Sequence, residues 1–108
     1  MVKLVNSAMM PVPGRYEARE ISFEEFVERL TEAYEKGNLE SYIGYPQNIE
    51  LIKEWTGIEV ELNRSKTDLE PGDELLVMKL KYRVQDPKTK GNVVDENDFE
   101  FMHILYER

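Results

Sequence analysis

The stretch Ile21–Gly37, ISFEEFVERLTEAYEKG, constrains the fold of this chain more than any other. Ser22 and Glu25 have the spacing of a capping box, Ile21 and Phe26 that of a hydrophobic staple, and Gly37 supplies the stop. Phe23, Phe26, Val27, Leu30 and Tyr34 recur at helical spacing on one stripe, while Glu24, Glu28, Glu32 and Glu35 face out as a solvated surface. A helix with one such stripe must lay it against another layer.

The flanking segments supply that layer. VKLVNS reads as a short strand, MMPVPG as a loop broken by Pro11, Pro13 and Gly14, and RYEAREI as an alternating second strand. LESYI reads as a third strand, followed by a helix from Pro46 to Thr56 that turns Ile49, Ile52 and Trp55 inward and stops at Gly57. IEVEL reads as a strand, Pro71-Gly72 as a turn, and ELLVMKLKYRV as a long strand with Met78, Leu80, Tyr82 and Val84 on one face and Lys79, Lys81 and Arg83 on the other. FEFMHILYE closes the chain as a last strand. The expected class is α/β in the α+β sense: one domain over 1–108, with a mixed sheet of five to six strands flanked by two or more helices.

Composition narrows the function classes. With no cysteine and a single histidine, His103, the chain lacks the residues for thiolate chemistry or a multi-histidine metal site, and we expect no metal and no cofactor. His103, inside an apolar strand, reads more naturally as a satisfied, partly buried histidine than as a catalyst. Met9-Met10 reads as core filler, and DENDFE lacks the length and spacing of a calcium loop. No apolar run reaches membrane-spanning length and the N-terminus has too short an apolar stretch for a secretory signal, so a cytoplasmic protein is expected.

The net charge of −8 argues against duplex nucleic acid and acidic membranes as partners, but its distribution is uneven. From Arg64 to Lys90 seven basic residues outnumber five acidic ones, leaving −10 on the rest of the chain. The Lys79, Lys81, Arg83 stripe suits phosphates; it equally suits a solvated sheet face that discourages edge pairing.

The turn Gly44-Tyr45-Pro46 lies where a strand feeds a helix. Pro46 fits the first helical position, which makes Tyr45 the N-cap, a residue unable to bond the N–H groups of Gln47 and Asn48 as Ser or Asp would. Free N–H groups at a helix start favour an anion, although water or a neighbouring side chain can also complete such a cap.

Taken in order, NS after the first strand, SYIGY before the short helix, TGIEVELNR after it, LEPGDELLV and KLKYRV resemble the viral anti-CRISPR ring nucleases. The resemblance is strongest from Ser41 to Asp86. It implies a homodimer with a mixed sheet and flanking helices that binds cyclic tetra-adenylate across its two-fold axis, in type III CRISPR signalling. In that family a ribose 2′-OH attacks the adjacent phosphorus without metal while a histidine protonates the leaving oxygen. Asn6 and Ser7, Gly44 with the Gln47 and Asn48 amides, Arg64 and Arg83 would then contact the ligand. Asp86 stands where the family has a glutamate, and Tyr45 stands in the place of the catalytic histidine. A phenol is a more reluctant general acid than an imidazolium, so Tyr45 either donates the proton slowly or stacks on an adenine. The partners implied are a cyclic oligonucleotide and a second copy of the chain. The alternative is a dimeric interaction or regulatory protein on the same scaffold with no nucleotide.

Overall fold

The structure is a computed structural model that describes residues 1–6, 13–64, 69–81 and 96–107. Among these residues five strands and two α-helices follow in the order β1 (Val2–Val5), β2 (Arg15–Ile21), α1 (Phe23–Glu35), β3 (Leu39–Tyr42), α2 (Pro46–Thr56), β4 (Glu74–Leu80) and β5 (Phe99–Glu107), with a 3₁₀ turn, Glu96–Asp98, before β5. The strands form one mixed sheet in the order β2-β5-β4-β1-β3. β1 pairs in parallel with both β3 and β4, whereas β5 runs antiparallel to both β2 and β4. Four strands therefore point one way and β5 alone runs against them.

This direction places the carboxyl ends of β1, β2, β3 and β4, and the N-termini of both helices, at one margin of the sheet. The helices share one sheet face. There Phe26 and Leu30 of α1 and Leu51 and Ile52 of α2 pack on Leu4, Leu76, Met78, Phe99 and Phe101. Phe101 is the junction of that layer, its ring centroid 4.6 Å from Phe26, 5.7 Å from Phe23 and 6.0 Å from Trp55. The opposite face carries a second cluster of Val5, Leu69, Leu75, Val77, Ile104 and Tyr106.

The α1 start is half a capping box. Ser22 Oγ accepts the Glu25 N–H at 3.1 Å, but the Glu25 carboxylate turns instead to Arg29 at 2.7 Å and Arg19 at 2.8 Å, because two guanidinium donors outbid one backbone amide. Tyr34 leaves the expected stripe and is exposed. Ala33 takes the buried place, since the helical drift carries the last turn's inward position back by one residue. Gly57 ends α2 in the left-handed region at φ 77°, as expected of a helix stop. IEVEL does not form a strand: only Leu62 bridges, to Ile43. Its alternation is held instead by single bonds, Ser41 Oγ donating to the Glu61 carbonyl and the Asn63 N–H to the Ile43 carbonyl. No helix among the described residues is long and apolar enough to cross a membrane.

On the face without helices, Lys3 is buried with Asp73, and its Nζ lies 2.9 Å from Glu40 Oε2 and 3.9 Å from Asp73 Oδ2. Burial opposes the Lys3 charge, but the Glu40 hydrogen bond and the neighbouring anions more than compensate and raise its pKa above the usual lysine value. The Lys3 hydrogen bond, aided by the Tyr42 hydroxyl, holds the Glu40 carboxyl below the usual glutamate range. Stabilisation from Glu40 is thus present above the ordinary carboxylate range and fades as pH falls through the depressed value; that from Lys3 is present below the ordinary lysine range and fades as pH rises through the raised one. Glu40→Gln should therefore lower Tm most between these limits, with the gap to the native chain narrowing at both the acid and alkaline ends of a thermal-melt series. Phe26→Ala removes a fully buried ring from the aromatic junction and should cost about 3–5 kcal/mol in urea unfolding.

Candidate functional site

The margin where four strands end and both helices begin is where open α/β sheets place ligands. Its best-defined feature is the passage from β3 to α2. Ile43 is fully buried and fixes the chain leaving the sheet, and Gly44 follows under restraint from both sides. The Gly44 N–H donates to Asn6 Oδ1 at 3.1 Å, and Arg64 Nε donates to the Gly44 carbonyl at 3.0 Å. A Cβ on Gly44 would lie 3.4 Å from Arg64 Cγ and 4.0 Å from Asn6 Oδ1, ordinary contact distances, so the clasp is made by the Gly44 peptide and would tolerate a small side chain. Asn6, from the end of β1, and Arg64, from the segment after α2, are brought to one peptide although they stand 58 positions apart in the chain.

Tyr45 is the N-cap of α2, in extended backbone at φ −120° and ψ 121°, and its side chain makes no capping bond. It is 59% exposed, a phenol presented to solvent at the start of a helix. The helix start is partly self-satisfied. The Asn48 N–H, expected to be free, donates to the Tyr45 carbonyl at 3.0 Å, a tightened first turn, and Pro46 has no N–H to offer. The Gln47 amide is the remaining donor of that turn with no bond to a described residue, and the Gln47 side chain is exposed, whereas Asn48 is buried.

Charge at this margin is mixed, with Glu100 across from Lys79 and Asp98 beside Lys81. Arg64 is exposed, and no carboxylate of a described residue pairs with it. Lys79 and Lys81 project near the end of β4, beside β1, again without an ion pair among the described residues. Of the residues named from the sequence, the structure thus brings together Asn6, Gly44, Tyr45, Gln47, Asn48 and Arg64. Ser7, Arg83 and Asp86 lie outside the described residues, as do Met9 and Met10.

His103 belongs to a different place. Its Nε2 lies 2.7 Å from Glu74 Oε1, its side chain is 16% exposed, and Arg29 Nη1 stands 4.0 Å from the same carboxylate oxygen. β5 is three strands from β3, about 14 Å at ordinary strand spacing, so His103 does not reach the Gly44 turn of its own chain. It lines instead a cavity of about 180 Å³ under the end of α1 with Val2, Lys36, Asn38 and Leu76. A larger hollow of about 440 Å³ runs along the outer edge of β3 between Tyr34, Leu39, Ser41, Val60 and Asn63. That hollow was not legible in the sequence, because IEVEL reads as a strand and the bond from Ser41 Oγ to Glu61 that ties it to the edge of β3 has no sequence signature.

The comparisons with known proteins place this architecture. Protein 26 of Sulfolobus islandicus filamentous virus (isolate Iceland/Hveragerdi), described as uncharacterized, is 28% identical over 111 residues, covering 99% of this chain and 91% of that protein. The structure of B116 of Sulfolobus turreted icosahedral virus (STIV) superposes with a TM-score of 0.80 over 97% of this chain and 98% of its own, at 21% identity, a likeness of fold. The STIV B116-like family model matches residues 2–107, and the chain belongs to that family of archaeal-virus proteins.

Proposed function

We propose that this protein binds a cyclic oligoadenylate, cyclic tetra-adenylate in the first instance, in a pocket shared by two copies of the chain, and so withdraws a second messenger of type III CRISPR signalling. The observation that carries the reading is the clasped Gly44 peptide. At the carboxyl margin of the sheet it leaves Tyr45 exposed and, among the described residues, the Gln47 N–H unbonded and Arg64 without a carboxylate partner. An aromatic face, a helix N-terminus and guanidinium nitrogens are the groups that stack on a base and hold a phosphate. β3 is an outer strand with the Glu61–Asn63 segment bonded along its free edge, so a second copy would reach this margin from the carboxyl ends of the strands rather than by adding to β3. Two copies of Arg64, with Lys79 and Lys81, would concentrate positive charge against a compact tetra-anion despite the overall −8.

Sequestration fits these groups better than rapid cleavage. A phenol at neutral pH is a poorer proton donor to a leaving oxygen than an imidazolium, and His103 is occupied with Glu74 far from the turn. Metal-free attack by a ribose 2′-OH remains open to the pocket if a better acid is supplied at position 45.

Three outcomes are expected. Light scattering of the purified chain should give a dimer, and cyclic tetra-adenylate should raise its Tm; a monomer with no thermal shift would leave a non-nucleotide interaction role in its place. Arg64→Ala should weaken binding by about 1.5–3 kcal/mol, an effect that shrinks with added salt. Tyr45→Phe should leave binding nearly intact, Tyr45→Ala should weaken it by about 1–3 kcal/mol, and Tyr45→His should speed strand cleavage by ~100-fold, followed as linear product by chromatography.

A further inference from the structure

β2 is the other outer strand, at the opposite margin of the sheet from β3 and from the Gly44 turn. It pairs with β5 over all seven of its residues, Arg15–Ile21, and no described strand lies along its other edge. Its residues are mostly exposed, so that edge presents a row of backbone groups. Charged side chains usually bar pairing at such an edge, but here their order matters.

Two copies of one strand joined edge to edge in an antiparallel sheet are related by a two-fold axis perpendicular to the sheet. Such an axis keeps each side chain on its own face, so facing residues must be an even number of positions apart. Three registers then pair five or more residues of β2. Centring on Glu17 sets Glu17 against itself and Arg15 against Arg19, and centring on Arg19 sets Arg19 against itself. Centring on Ala18 pairs all seven residues: Glu17 faces Arg19 twice, Tyr16 faces Glu20, Arg15 faces Ile21, and Ala18 meets its own copy. It is the one register of the three with no like charges opposed, and opposite charges facing across strands are favourable. The strand itself is electrically neutral, two Arg against two Glu, in a chain of net charge −8. Arg19 already holds Glu25 at 2.8 Å, and a guanidinium has further donors for a second carboxylate.

We infer that β2 is a self-association edge: it pairs antiparallel with β2 of a second copy about Ala18, joining two five-stranded sheets into one ten-stranded sheet. This contact is independent of the nucleotide reading, since it uses the far margin of the sheet. With a dimer at the β3 margin it would link dimers into larger assemblies.

The chain has no cysteine, which makes a direct test available. Paired β residues on a two-fold axis have Cα atoms about 4.5–5.5 Å apart, inside the range of about 4.4–6.8 Å that a disulfide spans. Ala18→Cys should therefore form a covalent dimer under mild oxidation at least about tenfold faster than Glu20→Cys, whose copies would stand about 13 Å apart in this register. In the Ala18→Cys background, Glu17→Arg should slow cross-linking by setting Arg against Arg19, and adding Arg19→Glu should restore it. Equal cross-linking of Ala18→Cys and Glu20→Cys on non-reducing gels, or indifference to Glu17→Arg, would overturn the inference. Binding of cyclic tetra-adenylate is unaffected by either result and is scored separately.

Discussion

The aromatic junction on β5 is the contact that the rest of the architecture depends on. Phe101 lies within ring-contact distance of Phe26 and Phe23 from α1, Trp55 from α2 and Phe99 from its own strand. One side chain therefore ties both helices to the sheet, and burying aromatic area is among the largest favourable terms open to a chain of this size. Each helix follows a strand through a short link, so both N-termini emerge at the margin where the carboxyl ends of four strands lie, and the aromatic contacts hold them there on one face. The Gly44 turn is the link from β3 to α2 at that margin.

Electrostatics then divides the molecule. Lys3, Arg19, Arg29, Lys36 and Lys53 each hold a carboxylate, so much of the chain's positive charge is spent within the fold. Arg64, Lys79 and Lys81 stand at the carboxyl margin without such partners among the described residues. Acidic residues share this margin, Glu100 across from Lys79 and Asp98 beside Lys81, but Arg64 holds no carboxylate among the described residues, so an anion meeting its guanidinium competes with solvent rather than with a resident salt bridge. Arg64 joins the two properties: Nε clamps the Gly44 carbonyl and leaves the terminal nitrogens of the fork available, a division of labour that lysine's single ammonium cannot provide.

Both helices were legible because their signals are local. Ser22, Gly37, Pro46 and Gly57 mark boundaries that depend only on backbone groups within a turn of them, and the last strand could be read over its full length from β-branched and aromatic residues. The failures share a cause. Tyr34, Glu25 and IEVEL each had a reasonable local reading that a nonlocal partner overrode: the sheet surface beneath α1, the Arg19 guanidinium on β2, and Ser41 on β3. Within the site, Tyr45 as an uncapped N-cap was readable, whereas the Asn6 and Arg64 bonds to one glycine were not, since they join residues 38 and 20 positions from Gly44.

The sequence by itself determined the two helices and their boundaries, most of their inward residues, the absence of thiol chemistry and the concentration of positive charge after Arg64, because each is fixed by residue identity and short-range periodicity. Tertiary structure decided the strand order β2-β5-β4-β1-β3, with β5 alone reversed. It thereby decided that Asn6, Gly44 and Arg64 meet at one margin while His103 faces Glu74 elsewhere. Strand order depends on which long loops close and which apolar faces meet, and those are free energies of the whole chain that no window of neighbouring residues contains.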